Sequence, residues 1–292
     1  MTRHKIILAA AWLSLLSSAA SRAQTPTDAT AAPGGVAQVE AQSVPVPITT
    51  DYRAETKTLV LHATNNSGKE IDGYYISIRY RLPDGTWDKP GLWGSVQDMM
   101  DTLVSIQMAK DPAASERRLQ EQGLGLFAPG TTRDIVLDRI NSADVKATAD
   151  PIFYTDGSFD KQDENEFKRF LSRRQSALLG NVEASKIIRA ALADPANEHP
   201  IATAIPELAK AAAEGMAHNP DGPYDPVSRA VGFLQGNITM LRVIQEQAVK
   251  NWGAPSEVGK TERERLVQYV ERLEKRIELM TPHCHLEMAM KQ

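Results

Sequence analysis

Residues 58–82 read TLVLHATNNSGKEIDGYYISIRYRL, and this stretch decides what the first half of the chain builds. In the run 58–64 apolar residues alternate with polar ones, which is the pattern of a half-buried strand. The residues on its apolar face are Leu59, Leu61 and Ala63. Residues 71–82 are rich in Tyr, Ile and Ser, and the run NNSG at 65–68 is a turn signal. We therefore predict two antiparallel strands that pair with each other across this turn.

A helical pattern interrupts the strands that follow. Apolar residues repeat at helical spacing over 92–106. A second short helix has a capping residue at Asp111, a proline suited to the first helical position at Pro112, and Gly123 at its end. The sequence predicts two consecutive helices here.

Strand-like runs return after these helices, at 124–127, 132–137 and roughly 145–154. Turn signals separate them. Residues 51–160 are therefore predicted to form a small β-sandwich, immunoglobulin- or fibronectin-like, with a helical insertion at about 92–123.

The second half, 161–292, is predicted to be a helical bundle, so the fold class is α+β. A long helix is expected over 163–192 and a short one over 205–216. Two further segments carry narrow apolar stripes: Val227, Val231, Leu234, Ile238 and Leu241 in one, and Leu266, Val270, Leu273, Ile277 and Met280 in the other. We expect these stripes to pack inside one chain, and a dimeric coiled coil is the alternative.

The chain opens with the features of a cleavable secretory signal peptide. Residues 1–23 combine a basic start, an apolar run over 6–16 and small residues before the cleavage point. The apolar run would rise about 16 Å as a helix, roughly half of a hydrocarbon core, so it is too short for a stable membrane anchor. We expect cleavage near Ala23 and a soluble periplasmic or secreted product. Residues 24–50, with prolines and no aromatic residue, are predicted to be a disordered tether.

Charge and cysteine content exclude several classes of protein. Removal of residues 1–23 lowers the count of Lys and Arg from 33 to 30, against 37 Asp and Glu, so the net charge becomes −7. Basic and acidic residues alternate along the chain, which argues against nucleic-acid partners and against a polybasic membrane patch. Cys284 is the only cysteine, so no internal disulfide can form.

The C-terminal run HCHLEMAM gathers soft and borderline metal ligands within eight residues. Its candidate ligands are His283, Cys284, His285 and Met288, and together they suit copper or zinc. The alternative is an ordinary tail in which Cys284 is either a buried thiol or the link of a disulfide dimer.

Aromatic residues and methionines cluster around the insertion. If Trp87, Trp93, Met99 and Met100 are exposed together, they would form an adaptable apolar surface for a protein partner. The alternative is that they pack into the β-domain.

A resemblance follows from these structural motifs. The runs at 63–80 (ATNNSGKEIDGYYISIRY) and 126–137 (LFAPGTTRDIVL), followed by YTDGSF and the charged helix DENEFKRFLSRRQ, resemble those of exported bacterial proteins that carry an immunoglobulin-like extracytoplasmic module and a helical domain. The resemblance implies a fold and a location, and it carries over no catalytic residue.

Function is predicted mostly from what the motifs exclude. The chain has no Gly-x-Ser-x-Gly elbow, no Gly-x-Gly-x-x-Gly and no Walker loop, so no catalytic residue and no cofactor is predicted. We expect a non-enzymatic binding or assembly module of the bacterial cell envelope, with another envelope protein as a partner. The alternatives are an extracytoplasmic hydrolase with an interdomain site, and copper or zinc binding at the C terminus.

Overall fold

The structure is a computed structural model, and it describes residues 44–286 apart from 83, 89–92, 139, 141–143, 219–224, 255 and 257. The predicted signal peptide and residues 24–43 of the predicted tether lie outside the described residues. The described chain is a mixed α+β fold with two antiparallel sheets and six helices. Its strands are β1 Ile48–Arg53, β2 Thr58–Thr64, β3 Ile71–Tyr80, β4 Trp93–Asp98, β5 Thr132–Leu137, β6 Val145–Tyr154 and β7 Phe159–Asp160.

The strands β2 and β3 lie in different sheets, so the predicted pairing between them is wrong. The order is β1-β2-β5 in the three-stranded sheet and β4-β3-β6-β7 in the four-stranded sheet. Asn65 explains the crossing: its buried side-chain amide donates to the carbonyls of Lys69 and Phe127, at 2.8 Å each, while its oxygen accepts from the Ser67 amide. These bonds turn the chain away from β2 instead of folding it back beside that strand.

The two sheets share one apolar core. Leu59, Leu61 and Ala63 of β2 are all fully buried, as the alternation predicted, and they belong to the same cluster as Tyr74 and Ile76 of β3. This shared core is consistent with two facing sheets.

The first strand begins inside the segment predicted to be a tether. Val46 and Ile48 are only 1% and 2% exposed and belong to the shared core, so residues 46–50 are part of the fold. The tether prediction is therefore wrong for these residues. Val46 precedes β1 and Ile48 begins it, and the burial of both side chains holds this otherwise polar segment against the core.

The predicted insertion also starts with a strand. Residues 93–98 form β4, which pairs with β3, and the helical pattern begins only at Met100. The helices that follow are α1 Met100–Met108 and α2 Pro112–Glu121. The cap at Asp111 is confirmed, because its side chain accepts from the Ala114 amide, and Gly123 adopts the positive φ expected after a helix end. The strand predicted at 124–127 is not observed, and the segment forms a single β-bridge between Phe127 and Ile71.

Four longer helices complete the described chain: α3 Glu164–Leu192, α4 Pro200–Ala217, α5 Pro226–Lys250 and α6 Glu262–Cys284. Their apolar stripes meet in one cluster within the chain, in which Leu241, Leu266 and Val270 are fully buried. Two residues of the predicted stripes lie outside this cluster: Val227 is 43% exposed at the first turn of α5, and the buried Met280 packs with Met100 and Cys284. Among the described helices, none has a stretch with the length and hydropathy needed to cross a membrane.

Candidate functional site

A groove opens where the four-stranded sheet meets α3 and α5, and we call it the junction groove. It encloses about 350 Å³, which is at the small end of the range for ligand sites. Three arginines line it: Arg169 and Arg173, one turn apart on α3, and Arg229 on α5. Arg173 and Arg229 are exposed and Arg169 is half-buried. Two helices therefore bring three guanidinium groups to one concave surface.

The floor of the junction groove is apolar and aromatic. Tyr75 of β3, Val96 of β4 and Phe170 of α3 form it, and the two aromatic residues are nearly fully buried. Gly94 makes this floor possible, because a Cβ at that position would overlap the Tyr75 ring. The Arg169 guanidinium carbon lies 5.8 Å from the centroid of the Tyr75 ring, within cation–π range.

Within the described part of the chain, one carboxyl group, that of Glu166, lines the same groove. Its side chain is 10% exposed, and its Oε2 lies 3.7 Å from Nη1 of Arg169. Burial raises the pKa of Glu166 above its usual value, and Arg169 opposes this effect only in part. Among the described residues that line the groove, cationic groups therefore outnumber anionic ones even when Glu166 is ionised.

A buried charge network lies next to this groove. The side chain of Arg174 is completely buried, and its Nη2 donates to Oδ1 of Asp72 and Oδ1 of Asp98, at 2.9 Å each. Nη2 also donates to the Asp72 carbonyl at 3.1 Å. Asp72 is the second residue of β3 and Asp98 ends β4, so this network ties α3 to the four-stranded sheet.

Aromatic rings enclose the same guanidinium group. The guanidinium carbon of Arg174 lies 4.7 Å from the ring centroid of Phe153 and 5.1 Å from that of Phe170. Burial acts to lower the pKa of Arg174, but Asp98 and Asp72 outweigh it and hold the pKa above its usual value. Burial likewise acts to raise the pKa of Asp72, and Arg174 and His283 outweigh it and lower that pKa. The opposite charges around them therefore keep both Arg174 and Asp72 in their charged forms.

The predicted metal ligands that the structure describes lie in separate environments: His283 lies beside this network, Cys284 packs between helices, and His285 contacts Phe159. His283 is 5% exposed and its Nδ1 lies 3.0 Å from Oδ2 of Asp72, at ion-pair distance without hydrogen-bond alignment. Cys284 is fully buried, and the ring of His285 packs edge-on against Phe159. Met288 lies outside the described residues. Within the described part of the chain no three His, Cys, Asp or Glu side chains converge as a metal site would require, and metal binding stays a prediction.

Cys284 is expected to resist alkylation by iodoacetamide in the folded protein and to react after denaturation. Its Sγ donates to the Arg174 carbonyl at 3.4 Å, and burial raises the pKa of the thiol to about 12, so the reactive thiolate is scarce. Mass spectrometry of native and denatured samples measures the labelling. A Val249→Cys variant, at a position that is 80% exposed, is the control that should label in both. Rapid labelling of native Cys284, or a disulfide dimer on a non-reducing gel, would contradict the buried thiol.

The predicted partner surface is not assembled from its methionines. Met99 and Met100 are 8% and 4% exposed; Met99 packs in the core between the sheets, and Met100 packs against α3 and α6. Trp87 is half-buried, with the Lys146 ammonium 4.9 Å from its ring centroid, and the Trp93 side chain lies outside what the structure describes. The prediction that Met99 and Met100 are exposed is therefore wrong. The sheets cover Met99, and α3 and α6 cover Met100. Partner binding through the tryptophans stays a prediction.

Sequence reasoning missed the junction groove. The spacing of Arg169 and Arg173 places them on one face of α3, and this was the available signal. It carries little weight alone, because most charged residues on a helix simply face water. Arg229 and Tyr75 come from distant parts of the chain, and no local pattern relates them to α3.

Comparisons of the chain with protein-family models, with curated proteins and with solved structures find no match.

Proposed function

We propose that this chain is an exported, non-catalytic binding protein of the bacterial cell envelope, and that it binds a small anionic ligand in the junction groove. The observation that carries the proposal is the approach of Arg169, Arg173 and Arg229 to one concave surface. Guanidinium groups present several donors in a planar fork that matches the oxygens of carboxylate, phosphate or sulfate. The ligand class is therefore an oxyanion or the anionic end of a larger molecule.

The same proposal includes the fold of each half of the chain and the cellular location of the protein. An immunoglobulin-like sandwich followed by a helical bundle would place the groove at the junction of two modules, where ligand sites commonly form. The signal-peptide features of residues 1–23 support a periplasmic or secreted location. The resemblance to exported modular proteins agrees with both.

Binding is favoured over the hydrolase alternative by the chemistry of the groove lining. Hydrolysis by paired acids needs two carboxyl groups, and nucleophilic hydrolysis needs a base beside a hydroxyl or thiol. Among the described residues that line the groove, Glu166 is the one carboxyl group, and no histidine, serine or cysteine accompanies it. The arginines supply recognition, while a second group for proton transfer is not part of this lining.

Replacing Arg173 with glutamine is expected to weaken sulfate binding by roughly tenfold or more, because one charge-assisted hydrogen bond is lost. Isothermal titration calorimetry with sodium sulfate at constant ionic strength measures the affinity. Arg173 is exposed, so this change should leave the fold intact.

The matched control is Arg117→Gln, which removes the same charge from the exposed surface of α2. It should bind sulfate as the unchanged protein does. The proposal is overturned if the unchanged protein does not bind sulfate, or if both variants lose the same affinity. Competition by phosphate and by small carboxylates then distinguishes among the oxyanions.

A further inference from the structure

Glu166 occupies an unusual position for a carboxyl group in a cationic groove. It lies in the first turn of α3, where Asp163 caps the helix, and the residue as a whole is buried. Its Oε2 is shielded from solvent and accepts no hydrogen bond within the described part of the chain. The closest cation is Arg169, whose Nη1 lies 3.7 Å from that oxygen. This oxygen of the groove carboxyl group is thus buried without a hydrogen-bond partner among the described residues.

Charged and titratable groups reach Glu166 from several elements. Arg169 comes from α3 and Asp163 from its N-cap, Asp150 comes from β6, and Tyr75 comes from β3. Burial is the largest influence that raises the pKa of Glu166, and the charges of Asp163 and Asp150 act in the same direction. Arg169 is the group that opposes them.

Arg169 therefore has two competing partners when the groove is loaded. An ionised Glu166 attracts this guanidinium and repels an incoming anion. A protonated Glu166 does neither, and it can donate a hydrogen bond to an oxygen of the ligand. Since burial already favours the protonated form, the arrival of a second negative charge favours it further.

We infer that Glu166 makes anion binding in the junction groove proton-coupled, so that the groove takes up a proton with its anion and holds oxyanions more tightly as the pH falls. This inference rests on the proposed function and adds the residue that regulates the affinity. It gives an exported protein a binding site that responds to the acidity of its surroundings.

The test uses sulfate, because its charge stays constant over the range used. The affinity of the unchanged protein should rise as the pH falls from about 8 to about 5, by roughly tenfold for each unit by which the ligand raises the pKa of Glu166. Glu166→Gln should bind sulfate with little dependence on pH, and more tightly than the unchanged protein at the upper end of the range. Glu164→Gln is the matched control: it removes the same charge from an exposed position two residues earlier, and it should keep the pH dependence.

A second measurement does not depend on the folding of any variant. Calorimetry of the unchanged protein in buffers of different ionisation enthalpy counts the protons taken up with sulfate, and uptake is expected in the acidic half of the range. Three results would overturn the role of Glu166 while leaving the groove as an anion site. The affinity could be independent of pH, it could rise with pH, or its pH dependence could persist in a folded Glu166→Gln variant. A complete lack of sulfate binding at every pH overturns the proposed function itself.

Discussion

Replacing Arg174 with methionine is expected to destabilise the folded protein by about 3–5 kcal/mol. The change leaves the buried carboxylate of Asp72 and the partly buried carboxylate of Asp98 without the guanidinium that both now contact at 2.9 Å. Methionine fills much of the space between the rings of Phe153 and Phe170, so lost packing is the smaller part of the effect. Uncompensated buried charge is the larger part.

Urea denaturation followed by circular dichroism measures this change in the free energy of unfolding. The neighbouring variant Arg173→Met is the control, and because that residue is exposed its effect should stay within about 0.5 kcal/mol. Adding Asp72→Asn and Asp98→Asn to the Arg174 variant should recover part of the lost stability, since the charges that lost their partner are then removed. An Arg174→Met variant as stable as the unchanged protein would refute the role of the network.

The same network predicts how stability depends on pH. Because the pKa of Asp72 is lower in the folded than in the unfolded state, its contribution is present above about pH 4 and is lost as the pH falls through the folded pKa. Arg174→Met removes a cause of that shift. The stability that the unchanged protein loses on acidification should therefore be larger than the stability that the variant loses.

Replacing Gly73 with alanine is expected to destabilise the protein by about 3 kcal/mol. A Cβ at this position would lie 2.7 Å from Cζ of Phe170 and closer still to Nη2 of Arg174. Both side chains are almost fully buried, so neither can move away without disturbing the charge network or the aromatic cluster. The added methyl group therefore strains the contact between β3 and α3.

Thermal and urea denaturation measure this effect, and Gly232→Ala is the matched control. Gly232 lies inside α5 and a Cβ there would meet no atom within 4 Å, so alanine should stabilise the protein by about 0.5–1 kcal/mol. The two identical substitutions should thus have opposite signs. Equal effects would show that the contact of Gly73 with α3 does not matter.

The sequence predicted individual elements best where the causes are local. The predicted helix over 163–192 is observed as α3, because Asp163 caps its first turn and acidic residues follow where the helix dipole favours them. The alternation in 58–64 likewise predicted both β2 and its buried face. Caps, turns and periodicity act within a few residues, so a single sequence contains their whole cause.

Prediction failed where the structure depends on contacts between residues that are far apart in the chain. Leu92, Val96 and Met100 have helical spacing, yet residues 93–98 form a strand, because the free edge of β3 offers hydrogen bonds that outweigh a weak helical preference. The candidate site could not be predicted from the sequence for the same reason. Arg169 and Arg173 were visible as a pair on one helix face, but Tyr75 and Arg229 join them only through the packing of β3 and α5 on α3.

The sequence by itself determined the α+β composition, the extent of α3, the cap of α2, the apolar face of β2 and most of the apolar stripes of α5 and α6. Tertiary structure alone decided the separation of β2 from β3, the burial of Met99 and Met100, and the meeting of three arginines with Glu166 in the junction groove. The physical reason is the range of the forces involved. Local hydrogen bonds and side-chain periodicity specify an element, whereas the choice of its partner depends on the free energy of burying surfaces that the linear sequence does not place side by side.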